Sequence, residues 1–308
     1  MSIELIKNEI EESILENFDN QLELARKLQG VYDNRPKPNS FKNCMAGTKF
    51  SDGYTEDQIE ADKQYVEETL SNIRLNNANE GLEALTNSEV SFQLSEIMQA
   101  MIVDRLNENW FKDCKAIMTS EYDDLKSGVD AVFKHKNGGY LGMSFDFTVT
   151  NQAKIIHDKL ARSWNNIANG RVQTIKYFED PDTKQKGQLL VPRFIIGASK
   201  NDVEQLAKAY LNDDYQTLDN HPFKYLMLMQ IEEQLQTALD YFEVNKNDEK
   251  LSFAKNKYEK LSNLIRNMKN EIHLDKNIDN EDLYNYTRNS VALDTVRRFR
   301  IIKDTKKD

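Results

Sequence analysis

The chain is poor in the residues that punctuate and staple small folds. It carries 11 glycines and 5 prolines in 308 residues, too few for collagen-like, proline-rich or turn-dense all-β architectures. Its two cysteines, Cys44 and Cys114, stand far apart with no CxxC or Cys/His spacing. That argues against a disulfide framework and a zinc site, and for a reducing compartment. No apolar run approaches the roughly 18 residues a membrane helix needs, so no membrane association is expected. The segment MSIELIKNEIEESILENF is acidic and amphipathic, unlike a signal or transit peptide. The expected location is the cytoplasm, or the host cytoplasm or virion if the protein is viral. The histidines (His135, His157, His221, His273) are dispersed with no HxH or HExxH spacing, and GxxxxGK[ST], GxGxxG and GxSxG are absent. Histidine-metal, P-loop, Rossmann and α/β-hydrolase chemistries are thereby disfavoured.

Leu, Glu, Lys, Gln and Asn are abundant, which favours long helices. Lys and Arg number 41 against 51 Asp and Glu, a net charge of −10. A non-specific nucleic-acid coat should be basic, whereas an enzyme holding nucleic acid through a local basic patch and a metal need not be. The length suits one large domain or two ordinary ones.

Three regions separate by pattern: helical at 1–90, mixed α/β at 91–215, and helical at 216–308. In the first, apolar residues from Ile3 to Leu28 recur at helical spacing, and 31–55 reads as a loop. Thr55 is a candidate N-cap for a helix running to Leu75. Residues 52–80 hold eight acids and two bases, so this stretch should avoid phosphate. The middle region predicts a helix over 91–110 and strands over 114–120, 128–135 and 140–150. A helix over 152–169 and strands over 171–178 and 188–199 follow. The turn at 137–139 (NGG) joins the second and third strands into a hairpin. In the third region, helices are expected over 221–245 and 248–272, with a final helix starting near 279–282. The stripe Leu251, Ala254, Tyr258, Leu261, Ile265, Met268, Ile272 reads as packing surface. Trp110 and Trp164 read as packing as well. From 297 to the end there are six bases and two acids, a solvated tail or a phosphate contact.

The hairpin holds the chemistry. In MSFDFTV, Asp146 alternates with Phe145 and Phe147, sharing a face with Ser144 and Thr148. An odd-numbered loop makes the numbers of opposed residues sum to 276, which sets Asp130 across from Asp146. An even loop puts them on opposite faces. Opposed Cβ atoms lie about 4.5–5.5 Å apart. Two carboxylates that close repel unless one is protonated or a cation bridges them, and hard oxygen ligands suit Mg²⁺ or Mn²⁺. The plainer alternative is a strand-entry Asp130 and a solvated Asp146.

A helix, three strands, a helix and a further strand, with Gly128-Val129-Asp130 opening the second strand and Asp146-Phe147-Thr148 in the third, resembles the PD-(D/E)XK nuclease superfamily over roughly 92–178. The resemblance implies an α+β, restriction-endonuclease-like mixed-sheet core (αβββαβ) with large helical N- and C-terminal additions. It implies a Mg²⁺ or Mn²⁺ site made of Asp130, Asp146 and the Phe147 carbonyl, assisted by Glu96, with the acids of 121–124 close by. The implied activity is metal-dependent cleavage of a phosphodiester, with DNA as the expected substrate. Thr148 stands where the family has its lysine, and a hydroxyl supplies no positive charge. Lys154 is the preferred substitute; Lys134 and Lys176 are further candidates, and Lys176 is placed too far from the acids. Gln152, Arg162, Arg171 and Lys176 are available for phosphate. The competing expectation is a nuclease fold that has lost its chemistry and serves as a structural component, for example in a phage or mobile-element assembly. Its protein partner or second copy would then dock through the C-terminal helices.

Overall fold

The computed structural model describes residues 23, 25–34, 54–79, 82–111, 114–135, 143–149 and 153–271. The candidate final helix, the basic run from 297 onward, the hairpin turn and Gln152 lie outside these residues.

Alpha and beta segments mix as expected, with some boundaries moved. After α1 (Gln29–Asn34), helix α2 (Glu56–Asn79) begins at Thr55. The Thr55 hydroxyl accepts from the Gln58 amide at 3.3 Å, and the Thr55 amide donates to the Gln58 side chain at 3.1 Å, a reciprocal capping box. This helix runs past Leu75 to Asn79, and α3 (Leu82–Glu108) starts well before Ser91. Strand β1 (Cys114–Met118), helix α4 (Glu121–Ser127), strands β2 (Ala131–His135) and β3 (Met143–Val149), and helix α5 (Ala153–Ala168) follow. Then come β4 (Gln173–Glu179), β5 (Lys186–Val191) and β6 (Arg193–Ala198). The remaining helices are α6 (Lys200–Leu211), α7 (Tyr215–Asp219), α8 (Phe223–Val244) and α9 (Ser252–Glu271).

Two expectations are corrected here. The segment 188–199 is two strands in two different sheets, divided at Pro192, which has no amide hydrogen to continue a ladder. The strand over 171–178 does not enter the main sheet at all: β4 pairs antiparallel with β5 in a separate two-stranded unit. The main sheet has the order β1-β2-β3-β6. Its first three strands are antiparallel, and β6 lies parallel to β3, returning after α5 and the β4–β5 insertion.

Alternation along the strands divides the sheet's two faces. Ala116, Met118, Ala131, Phe133, Phe194 and Ile196 join the main core with residues of α3, α8 and α9. On the other face, Ile117 and Val132 pack beneath Ile175, Phe178 and Val191 of the β4–β5 unit. Leu251, Ala254, Tyr258, Leu261, Ile265 and Met268 are all buried in the main core. Over its described residues the stripe is therefore packing surface, as its spacing predicts; Ile272 lies outside them. Trp110 and Trp164 are core residues too.

Strand β6 forms one edge of the sheet, and its exposed ladder is closed by side chains. Gln234 accepts from the Ile195 amide at 3.0 Å and donates to the Ile195 carbonyl at 2.9 Å. Gln230 does the same to Gly197 at 2.8 and 3.1 Å. Four residues of helix rise about 6 Å and two of strand about 6.6 Å, so an i,i+4 glutamine pair matches alternate strand residues. An edge that would otherwise recruit another strand is thus covered by α8.

His221, just before α8, is 4% exposed, and its Nδ1 accepts from the Phe223 amide at 3.2 Å. Burial pushes the imidazole pKa down to about 4, with the Asp202 carboxylate opposing the shift. Between that value and the ordinary 6.5 the unfolded chain takes up a proton that the folded chain refuses, so stability falls as pH drops through this window. Urea unfolding of the wild type should lose about 2–3 kcal/mol from this group between pH 7 and pH 4.5. His221→Asn keeps an acceptor for the Phe223 amide and should lose correspondingly less; equal losses would contradict this assignment.

Candidate active site

The site region is built outward from a short helix. Ser120 caps α4, its hydroxyl accepting from the Asp123 amide at 3.1 Å. The Asp123 carboxylate, 0% exposed, accepts from the Ser120 hydroxyl at 2.7 Å and from the Lys176 and Tyr177 amides at 2.6 and 2.9 Å. Those two amides sit where the β4–β5 register shifts, between Ile175 and Phe178. The bulge frees two donors from the ladder, and Asp123 takes both. Burial pushes the Asp123 pKa upward, while the Lys176 amide, Ser120 and the Tyr177 amide pull it back. Asp123, one of the acids of 121–124 expected close by, is thus a structural anchor.

Helix α4 ends at Gly128, which takes the left-handed conformation (φ 59°) and donates its amide to the Asp124 carbonyl at 2.8 Å. A side chain there would be strained. The turn delivers a fully buried Val129 and a half-buried Asp130 to the start of β2. Thr119 holds this entry: its amide donates to the Asp130 carbonyl at 3.2 Å, and its hydroxyl donates to the Val129 carbonyl.

The hairpin register is Ala131 opposite Phe145, Val132 opposite Ser144 and Phe133 opposite Met143. Opposed numbers therefore sum to 276, as an odd loop requires. The pairing ends at Ala131, directly after Asp130, and Asp146, the residue after Phe145, pairs with Ile195 of β6. Phe147 pairs with Ile196. Glu96 is half-buried on α3, which packs against β1 and β3. It lies one turn before Gln99, whose amide approaches the Met118 sulfur at 3.7 Å; Met118 is followed by Thr119, the clamp on Asp130. Asp130 thus stands at the entry of β2 and Asp146 midway along the neighbouring β3, with Glu96 on the helix packed against β1 and β3. Among the described residues no three His, Cys, Asp or Glu side chains group as a metal site; the Asp146 and Lys154 side chains lie outside that description.

Two of the candidate lysines have other partners. Lys134 reaches the fully buried Asp180 at 2.6 Å and Asp182 at 3.6 Å, tying β2 to the β4–β5 turn. Lys176 is ion-paired with Asp62 of α2, and its ammonium lies 4.5, 5.5 and 5.3 Å from the Tyr54, Tyr122 and Tyr177 ring centres. Tyr177 also donates to Asp62 at 2.6 Å. Burial, followed by the acids around them, raises the pKa of all three tyrosines. The acidic α2 meets this lysine, which takes Lys176 out of the phosphate contacts expected from sequence.

Arg162 stands in a cleft of about 430 Å³ that is also lined by Lys126, Ser127, Asn165, Asn166, Gln173 and Arg193. Arg171 is exposed and is absent from the described lining. The cleft separates the end of α4 and the start of β4 from α5. Along the chain, Ser127 precedes Asp130 by three residues, and Arg193 pairs with Ser144, two before Asp146. Sequence reasoning missed Lys126 and Arg193. The recurrence of Arg162, Asn165 and Asn166 on the polar face of α5 was the available signal.

No protein family, no curated protein and no solved structure matches this chain. No helix among the described residues is long and apolar enough to cross a membrane.

Truncating Asp123 strands the Lys176 and Tyr177 amides in a dry interior. Asp123→Ala should destabilise the protein by about 2–4 kcal/mol in urea unfolding, since buried unsatisfied donors cost about 1–3 kcal/mol each. A change below about 0.5 kcal/mol, the ordinary range for surface substitutions, would refute the anchoring role.

Proposed function

We propose that the chain is a divalent-metal-dependent phosphodiesterase of the PD-(D/E)XK type, acting on DNA. The observation that carries this reading is the hairpin register, Ala131 opposite Phe145, which, carried one residue beyond its last pair, would face Asp130 with Asp146. The order of elements around them supports it: a helix, three antiparallel strands, a crossing helix and a parallel fourth strand beside the third. The fourth strand of that arrangement is β6, so the resemblance extends to about residue 198 with the β4–β5 unit inserted.

The donor set fits a hard cation. Asp130, Asp146 and the Phe147 carbonyl would hold Mg²⁺ or Mn²⁺, with Glu96 assisting directly or through water. Such an ion lowers the pKa of bound water and offsets charge on the cleaved phosphodiester. The protein's own contribution is placement: Gly128 turns Asp130 into the sheet, Thr119 fixes its backbone, and Arg162 with Lys126 offers positive charge to a phosphate alongside. Lys154, in the first turn of α5, remains the choice for the charge that Thr148 cannot supply.

One set of observations favours the rival reading, a nuclease fold kept for assembly. Thr148 replaces the motif lysine, and Lys134 and Lys176 are engaged by acids. A cleavage assay separates the two. Purified protein is incubated with supercoiled plasmid, linear duplex, single-stranded DNA and RNA, in Mg²⁺, Mn²⁺ or EDTA. The phosphodiesterase reading expects metal-dependent cutting of DNA that Asp146→Ala reduces on the order of 10³-fold, the rate equivalent of several kcal/mol. Cutting by Asp146→Ala at the wild-type rate, or none by folded wild type, would reject it.

A further inference from the structure

We infer that the outer edge of β5 pairs antiparallel with the same edge of a second copy of this chain, joining two β4–β5 units into one continuous sheet. The inference is independent of the phosphodiesterase reading.

An edge strand presents unpaired amides and carbonyls that recruit another strand unless something covers them. The two sheets of the described residues have four edges, and side chains cover three. On β6 the cover is Gln230 and Gln234. On β1, Asn107 accepts from the Ala116 amide at 2.8 Å and donates to the Ala116 carbonyl at 3.2 Å. On β4, Asp123 takes the Lys176 and Tyr177 amides, and the Ser127 hydroxyl donates to the Thr174 carbonyl at 3.4 Å. That last bond also orients β5. Thr174 turns its carbonyl away from β5 and stands opposite Leu190. Opposed residues of an antiparallel pair exchange both backbone bonds or neither, so Leu190 turns its amide and carbonyl away from β4. The other end agrees: the Asp180 amide donates to the Gln185 carbonyl at 2.9 Å, so odd-numbered residues of β5 face β4 and even-numbered ones face outward. The outward backbone groups of Gln188 and Leu190 have no partner among the described residues. Gln188 is exposed, Leu190 is 38% exposed, and a side chain built on Gly187 would meet no described atom within 4 Å.

Charge and self-complementarity select a second copy as the occupant. The chain has net charge −10, yet 186–191 (KGQLLV) holds no acid, so two copies can meet here without apposing their negative charge. A two-fold axis at Leu189 sets Gln188 against Leu190 of the partner subunit, and Leu190 against Gln188 of the partner subunit. The open groups of each edge then satisfy those of the other, each pair exchanging both of its backbone bonds. The two Lys186 side chains fall at opposite ends of this contact, roughly 20 Å apart at about 3.3 Å per residue, each already paired with its own Glu179 at 3.3 Å. Pro192, which has no amide hydrogen, stops the ladder from lengthening. Such an isologous contact consumes both edges and closes on itself, so it makes a dimer and not a filament.

The test is sedimentation velocity of the full chain over a concentration series reaching about 100 μM, the regime of small, weak contacts. Wild type should pass from one chain to two as concentration rises. Leu190→Pro deletes an amide hydrogen that the β4 ladder does not use. It should raise the dimer dissociation constant at least about tenfold, because two-fold symmetry counts each lost bond twice. Gln188→Lys with Leu190→Lys sets like charges across both pairs and should weaken the dimer comparably. Gln188→Glu with Leu190→Lys sets opposite charges there and should keep the wild-type constant or tighten it. All three variants should unfold in urea like wild type. Should Leu190→Pro unfold more easily, the two charge pairs, which leave the backbone intact, decide alone. A wild type that stays monomeric throughout overturns the inference and leaves the edge to a foreign strand. A dimer that tolerates Leu190→Pro, or one in which the two charge pairs behave alike, overturns it as well.

Discussion

A carboxylate that water cannot reach holds this site region together. Burying Asp123 would cost several kcal/mol unless its oxygens found donors, and it finds them in three places at once: Ser120, the Lys176 amide and the Tyr177 amide. The first starts α4, and the other two belong to the bulge in β4. One side chain therefore fixes where α4 lies, where it must end, and how the β4–β5 unit sits on the sheet. Gly128 and Asp130 inherit their positions from the end of α4. Lys126, Ser127 and Gln173 inherit theirs as one wall of the cleft.

The coverage of the sheet follows from its edges and faces. Side chains of α8 close the free edge of β6, while the β4–β5 unit covers β1 and β2 and α5 packs against β6. The gap between those two covers is where the polar, cationic cleft opens. Charge is segregated in the same pattern. Acids of α2 and of the β4–β5 turn are matched by Lys176 and Lys134, whereas Lys126, Arg162 and Arg193 line the cleft.

Much of this was legible in the sequence, for reasons of short range. The parity of a loop around Asn137-Gly138-Gly139 sufficed for the hairpin register, with opposed numbers summing to 276, because strand alternation has a period of two. Thr55 and Gln58 declared a helix start, and the α9 stripe declared a buried face. What escaped depends on contacts between distant residues. Nothing local in 171–178 says that it will leave the sheet, since β propensity does not choose a partner strand. Pro192 was visible, but that it divides two sheets follows from β6 finding β3 and β5 finding β4. The partnership of Lys176 with Asp62 joins residues over a hundred positions apart, and the anchoring of Asp123 depends on a bulge more than fifty residues away. Thr148 remains the one departure that sequence raises and the fold does not answer.

The central claim is that Asp130 and Asp146 share one divalent cation, and the most direct measurement is thermal unfolding with and without Mn²⁺ for wild type and Asp130→Asn. Two close carboxylates repel when no cation is present and are relieved when one binds. Wild type should therefore gain thermal stability on adding Mn²⁺, in proportion to the logarithm of its concentration above the dissociation constant. Asp130→Asn should melt higher than wild type in EDTA and lose the Mn²⁺ response. A Mn²⁺ response that survives in Asp130→Asn, or no response in wild type, would contradict the account.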